Sequence, residues 1–128
     1  MQKVQKKVEN QDILKQSNVV YSIKCICGKK YIGRTGRLLA NRIKEHETAF
    51  IKKDTTKSAL AEHVQKEHPE TEEGQAVSFE QFTIEILKRC TTHHETVIAE
   101  SKMIEIMLKE DPERLINRQR ERVICKYL

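Results

Sequence analysis

Tryptophan is absent from this chain of 128 residues, and aromatic residues make up only 5% of it. With 38% hydrophobic residues it suits a soluble globular protein with a thin core, which a staple such as a metal would help to hold. No apolar run approaches the length needed to span a bilayer, and the first eleven residues, MQKVQKKVENQ, contain no apolar stretch of the kind a signal peptide needs. An intracellular protein is therefore the expectation. Internal repeats and low-complexity tracts are missing too, which leaves one ordinary domain as the natural reading of the length.

Charge is plentiful, at 34% of residues, and unevenly placed. Residues 1–53 hold 13 Lys/Arg against 4 Asp/Glu, whereas residues 54–128 hold 11 against 15. The net +5 thus divides into +9 and −4. A segment that basic favours a polyanion, with nucleic acid the commonest inside a cell, over the blander reading of a solvated lysine-rich surface. Four cysteines without a secretory signal argue for metal rather than disulfides.

Residues 1–17 are polar and rich in Lys and Gln, with Val4 and Val8 at helical spacing, and read as an extension or linker ahead of a domain at 18–128. The β-branched and aromatic run Asn18–Lys24, the glycine-containing CICGK and the renewed strand character of Lys29–Gly33 predict a β-hairpin. From Thr35 onward Leu38, Leu39, Arg42, Ile43 and His46 recur at three- and four-residue steps, so a helix is expected near 37–51. Ser58 can cap a second helix over 57–68, which must stop near His68 because Pro69 forces the residue before it out of the helical region. Residues 69–76 form an acidic loop. Alternation at Phe82, Ile84 and Ile86 predicts a third strand, Val77–Leu87, and Val97 to Leu108 predict a helix over 93–109 ended by Asp111-Pro112. The expected class is α+β: a small three-stranded antiparallel sheet flanked by helices, with a site on one sheet face.

Tyr21 and Tyr31 occupy comparable places on the two arms of the hairpin, so both phenols can face one site. Strand tyrosines alone are usually core residues with a polar tip. Here, though, Tyr31-Ile32-Gly33 runs into Arg34, Thr35, Gly36 and Arg37, and then into Arg42 and His46, which stand four apart and share a helical face.

The residues VVY at 19–21, YIGRT at 31–35, Arg42 and His46 resemble the GIY-YIG nucleases; the resemblance continues through Glu100 and Asn117 and covers about residues 19–118. One departure is that Val19 stands where the family's first motif has Gly, a position structural in the family. Within the family, the extra cysteine pair and the later histidines look most like the endonuclease domain of Penelope-like retroelements. Those domains are normally fused to a reverse transcriptase, for which 128 residues leave no room, so an excised domain or a stand-alone relative is expected. Residues 1–17 are then a candidate stump of the junction.

The resemblance implies hydrolysis of DNA phosphodiesters with one divalent cation. Glu100 would supply a hard oxygen to Mg²⁺ or Mn²⁺, and Arg42 would sit on the scissile phosphate as its negative charge grows. Arg34, Arg37 and Asn117 are expected at the substrate. The family gives proton removal from water to a tyrosine, Tyr21 here, with Tyr31 positioning and His46 accepting or relaying the proton. Free tyrosine titrates near 10, so that role requires neighbouring cations or the metal to depress it, which the density of Lys and Arg makes feasible. An enzyme acting on DNA is expected in the nucleus or the nucleoid.

Cys25 and Cys27, with His63 and His68, have the ligand types of a structural Cys₂His₂ zinc site. Residues two apart on a strand point the same way, so both thiolates can reach one ion. The 35 residues between Cys27 and His63 depart from ordinary finger spacing, and the bland reading is a pair of hairpin cysteines with two surface histidines. Cys90 reads as a small core residue, and Cys125 is left over. Two further readings compete: a zinc-stapled nucleic-acid binding module without catalysis, and a degenerate regulatory member. A pure binder gains nothing from a carboxylate aimed at phosphates, so Glu100 separates the first from a nuclease.

Overall fold

A computed structural model describes residues 12–117; the Val4/Val8 segment and Cys125 lie outside the described residues. Strand β1 (Val19–Lys24) pairs antiparallel with β2 (Lys30–Thr35) on one side and β3 (Thr83–Arg89) on the other, giving the order β2-β1-β3. β1 lies in the middle because its apolar sequence VVYSI is buried on both faces. The hairpin closes through Cys25 N–H to Lys29 O at 2.7 Å and Gly28 N–H to Cys25 O at 2.9 Å. Gly28 holds φ +94°, a conformation that L side chains rarely adopt.

The two sheet faces are covered by different helices. Val19, Tyr21, Ile23 and Tyr31 join Leu39 and Ile43 of helix α1 (Leu39–Ile51) and Leu60 of α2 (Ala59–Glu67) in one core. Val20 and Ile32 point the other way, to Ala99 and Ile104 of α3 (His93–Glu110). Three layers thus form around a small sheet. Ile13 and Leu14, ahead of β1, also pack on the first core, and Leu39 N–H donates to Gln16 O at 2.8 Å, so this stretch is tied to the domain rather than lying outside its core.

The helix signals read from the sequence hold locally. Ser58 Oγ accepts from Ala61 N–H at 3.0 Å, the N-cap bond worth about 1 kcal/mol, and α2 stops at Glu67 ahead of Pro69. Thr92 caps α3 in the same way through Glu95 N–H. The third strand needs correction, because it begins at Thr83 and not at Val77. Phe79–Gln81 is a 3₁₀ turn, with Ser78 N–H donating to the Gln81 side chain at 2.8 Å. Phe79 and Phe82, three apart, both lie against Phe50, with ring centroids 5.8 and 5.4 Å from it. Spacing that passes for strand alternation is there a turn that seats two rings on α1.

Candidate active site and metal cluster

Strand register sets the first site. Tyr21 lies opposite Gly33, and Tyr31 lies opposite Ile23, so the two tyrosines are diagonal neighbours on the face that meets α1. α1 brings His46 onto them: Tyr21 Oη and His46 Nε2 are 2.8 Å apart, and the Tyr31 ring stands edge-on to the imidazole at 5.3 Å between centroids. A Cβ on Gly33 would fall 2.6 Å from both Cζ and Oη of Tyr21. The phenol therefore lies across the strand where only glycine leaves room.

Burial dominates the electrostatics. It pushes the Tyr21 phenol well above its ordinary range; Tyr31 and Glu100 add to the rise, and the Arg42 guanidinium works against it. Burial, and then Arg42, push His46 down to about 3. Phenol and imidazole thus rest as a neutral pair joined by one hydrogen bond. Arg42 alone does not depress the phenol, because desolvation outweighs it.

Arg42 and Arg37 share one carboxylate. Glu45 Oε1 lies 2.8 Å from Arg37 Nη2 and 3.1 Å from Arg42 Nη1, and the two guanidiniums, Arg37 first, hold the Glu45 carboxyl below its usual range. Glu100 comes from α3, against the opposite face, where Arg34 Nε approaches it to 3.3 Å. That contact is an ion pair without the alignment of a hydrogen bond, since the buried Arg34 Nε finds no acceptor in line among the described residues. Arg34 also reaches His93 Nε2 at 3.4 Å. Tyr21, Tyr31, Arg42 and His46 therefore meet on one face, while Arg34 and Glu100 pair on the other, close enough for Glu100 to act on Tyr21.

Asn117, expected at the substrate, does something else. It is 2% exposed, its Oδ1 accepts from Ile32 N–H and its Nδ2 donates to Ile32 O, both at 2.8 Å. With Ile116 N–H donating to Lys30 O at 2.8 Å, this segment completes the outer edge of β2. An amide that serves both backbone groups of one residue is a strand clamp.

The second cluster assembles as its ligand types suggested. The ligand atoms of Cys25, Cys27, His63 and His68 all lie within 4.8 Å of one another. A tetrahedral ion with bonds of roughly 2.3 Å to sulfur and 2.0 Å to nitrogen places its ligand atoms roughly 3.3–3.8 Å apart. Cys27 Sγ and His63 Nε2 stand at 3.4 Å. Glu67 Oε2 lies 2.6 Å from His63 Nδ1, and Lys29 Nζ 2.6 Å from Glu67 Oε1. Burial pushes His63 down, so its neutral ring gives Nδ1–H to Glu67 and turns the Nε2 lone pair toward the thiols, the arrangement that orients metal-bound histidines. His68 Nε2 is buried with no hydrogen-bond partner among the described residues. A buried ring nitrogen left over beside two thiols fits a soft divalent ion.

The sequence model of the GIY-YIG catalytic domain matches residues 17–112. The chain belongs to the GIY-YIG family. Its three-stranded antiparallel sheet with flanking helices is that nuclease fold. Neither a curated protein nor a solved structure gives a match. Among the described residues no helix is long and apolar enough to cross a membrane.

Residues that sequence reasoning missed are Glu45, Glu67 and His93, together with the close approach of Tyr21 to Gly33. Two were legible, since Glu45 is three residues from Arg42 and Glu67 is four from His63, the spacings at which helical side chains meet. Gly33 required the strand register, and His93 required the docking of α3.

Proposed function

We propose that this GIY-YIG domain is a DNA endonuclease that hydrolyses phosphodiesters with one divalent cation. The observation that carries the reading is the 2.8 Å contact of Tyr21 Oη with a neutral His46, beside Arg42, in a domain of a nuclease family. His46 Nε2 is already in place to take the phenolic proton, which lets Tyr21 Oη draw a proton from water. Arg42, half-buried and permanently charged, opposes the rise of the Tyr21 pKa and offers a planar fork to a phosphate. Tyr31 packs on His46 and fixes its ring. Glu100 fits as the only protein ligand of a hard cation that keeps most of its waters. Mg²⁺ or Mn²⁺ held there would polarise a phosphate oxygen and reverse the sign of the charge that Glu100 presents to Tyr21.

Arg37 and Arg34 are assigned to phosphates, on the condition that Glu45 and Glu100 release them. Cys25, Cys27, His63 and His68 are assigned a structural zinc that clips the hairpin turn to α2. The cysteine–histidine cluster in a GIY-YIG chain supports kinship with the endonuclease domain of Penelope-like retroelements. A working association with a reverse transcriptase follows from that kinship, as does a nuclear or nucleoid place of action. A second reading, a zinc-stapled binding module without catalysis, is favoured by one observation: Tyr21 is fully buried and its phenol is held protonated. Incubation of the purified chain with supercoiled plasmid and Mg²⁺ or Mn²⁺ separates the two. Conversion to nicked or linear DNA is expected, and an intact plasmid with retained DNA binding would leave the binding module.

A further inference from the structure

The outward face of α1 carries a groove of about 590 Å³ that starts beside the site's arginines and runs to the loop after the helix. Asn41, Lys44, Thr48 and Lys52 recur along it at three- and four-residue steps, Arg37 lies at one end, and Lys57 lies at the other. Lys44, Lys52 and Lys57 are exposed and join no ion pair among the described residues. Lys29, Lys66 and Lys109 are each bound to a glutamate, and other lysines are unpaired among the described residues but scattered; Lys44, Lys52 and Lys57 stand apart in lining one groove together. The two carboxylates in the groove are engaged locally. Glu45 joins Arg37 to Arg42, and Asp54 accepts from Thr56 N–H and Lys57 N–H as it turns the chain after α1. Three unpaired ammonium groups on one side of a concave surface make a track for an extended polyanion.

We propose that this groove carries duplex DNA beyond the scissile phosphate, with Lys44, Lys52 and Lys57 contacting backbone phosphates spaced along it. The inference rests on the nuclease reading for what the track continues, since Arg37 lines the groove and shares Glu45 with Arg42. Dimensions agree: Asn41 to Lys52 spans about 16 Å of helix axis, and each strand of a duplex presents a phosphate every ~3.4 Å along its axis. Roughly five phosphates therefore lie alongside. Lysine on an exposed helix face reads charge and not base edges, so the track adds affinity without sequence preference.

The test is the salt dependence of duplex binding by the full chain, in buffer without added Mg²⁺ or Mn²⁺ so that cutting does not intrude. Changing Lys44, Lys52 and Lys57 together to Gln should flatten the slope of log K against log salt by about one per lysine. The loss should be larger on a long duplex than on one too short to leave the site. A control with Lys66, Lys88 and Lys109 changed to Gln has the same net charge and should keep the wild-type slope. Equal flattening in both variants would overturn the proposal by showing a generic charge effect, as would no flattening in the first. A single strand bound as tightly, with the same lysine dependence, would overturn the duplex assignment. Plasmid cutting stays independent: cutting with an unchanged slope removes only the groove, and groove binding without cutting removes only the nuclease.

Discussion

Three histidines in two regions of this molecule have opposite fates. In the Tyr21 site, His46 Nε2 has its partner inside the protein, the phenol at 2.8 Å, and burial keeps the ring neutral. In the cysteine–histidine cluster, Glu67 takes the far nitrogen of His63, so that Nε2 faces a thiol, and His68 Nε2 has no hydrogen-bond partner among the described residues. A histidine whose acceptor is satisfied by a protein hydroxyl is suited to moving a proton. One whose acceptor is turned toward sulfur and otherwise unused is suited to holding an ion. The two regions should therefore fail in different ways: the first in chemistry with stability intact, the second in stability with chemistry lost only as a consequence.

The sharpest way to break that division is Glu100→Ala. If Glu100 holds the catalytic cation, plasmid cleavage should fall below detection while duplex binding and melting temperature stay near wild type. Removing the carboxylate also frees Arg34 for phosphate, so binding should hold or tighten. Cleavage near the wild-type rate would move the metal ligand elsewhere, with Glu105 on the same helix the next to test.

Tyr21→Phe sharpens the same side. The ring still packs across Gly33 and only the hydroxyl that meets His46 is lost, so turnover should drop by roughly 10²-fold or more with little change in melting. Tyr31→Phe should cost less. The opposite order in single-turnover rates would exchange the two roles, for which Tyr31, 9% exposed against 0% for Tyr21, is the more reachable phenol.

On the other side, protein purified without chelators should carry about one zinc per chain by elemental analysis. Cys27→Ala or His63→Ala should release it and lower the melting temperature. A domain of this size has roughly 5–15 kcal/mol of net stability, and loss of a structural ion can remove much of it. Added Mg²⁺ should not restore activity. Protein without zinc, and unchanged melting of both variants, would leave Cys25 and Cys27 as ordinary hairpin residues.

Local signals in the sequence carried most of the fold. β1 and β2 were legible because a β-branched run, a glycine turn and a second run are enough to define a hairpin, and α2 because Ser58 and Pro69 bracket it. β3 was misjudged at its start, since Phe79 and Phe82 at a spacing of three belong to a turn, and only their packing on Phe50 reveals this. At the site, residue identities were legible and their energetics were not. No spacing shows that burial raises Tyr21 against the pull of Arg42, because that balance depends on how α1 closes over the hairpin. The place of Asn117 was not legible for a related reason: whether an amide meets a strand edge depends on where the chain after α3 returns.

The smallest expected effect concerns acid. His46 is held at about 3 in the folded chain, against an ordinary value near 6.5 once unfolded. Between those values the unfolded chain binds a proton that the folded chain refuses, so stability falls as the pH drops from about 6.5 toward 3. His46→Gln keeps an acceptor for Tyr21 but cannot titrate. Its melting temperature should start below that of wild type at neutral pH, through poorer packing, and then decline less steeply on acidification. His63 is also pushed down and is lost from its cluster in acid, but it contributes to both proteins and cancels in the difference. The measurement is that difference, followed from pH 7 to pH 5 by thermal melting. A gap between wild type and variant that does not narrow would mean that His46 takes up a proton as readily folded as unfolded, and the Tyr21–His46 pair would then not stay neutral in mild acid.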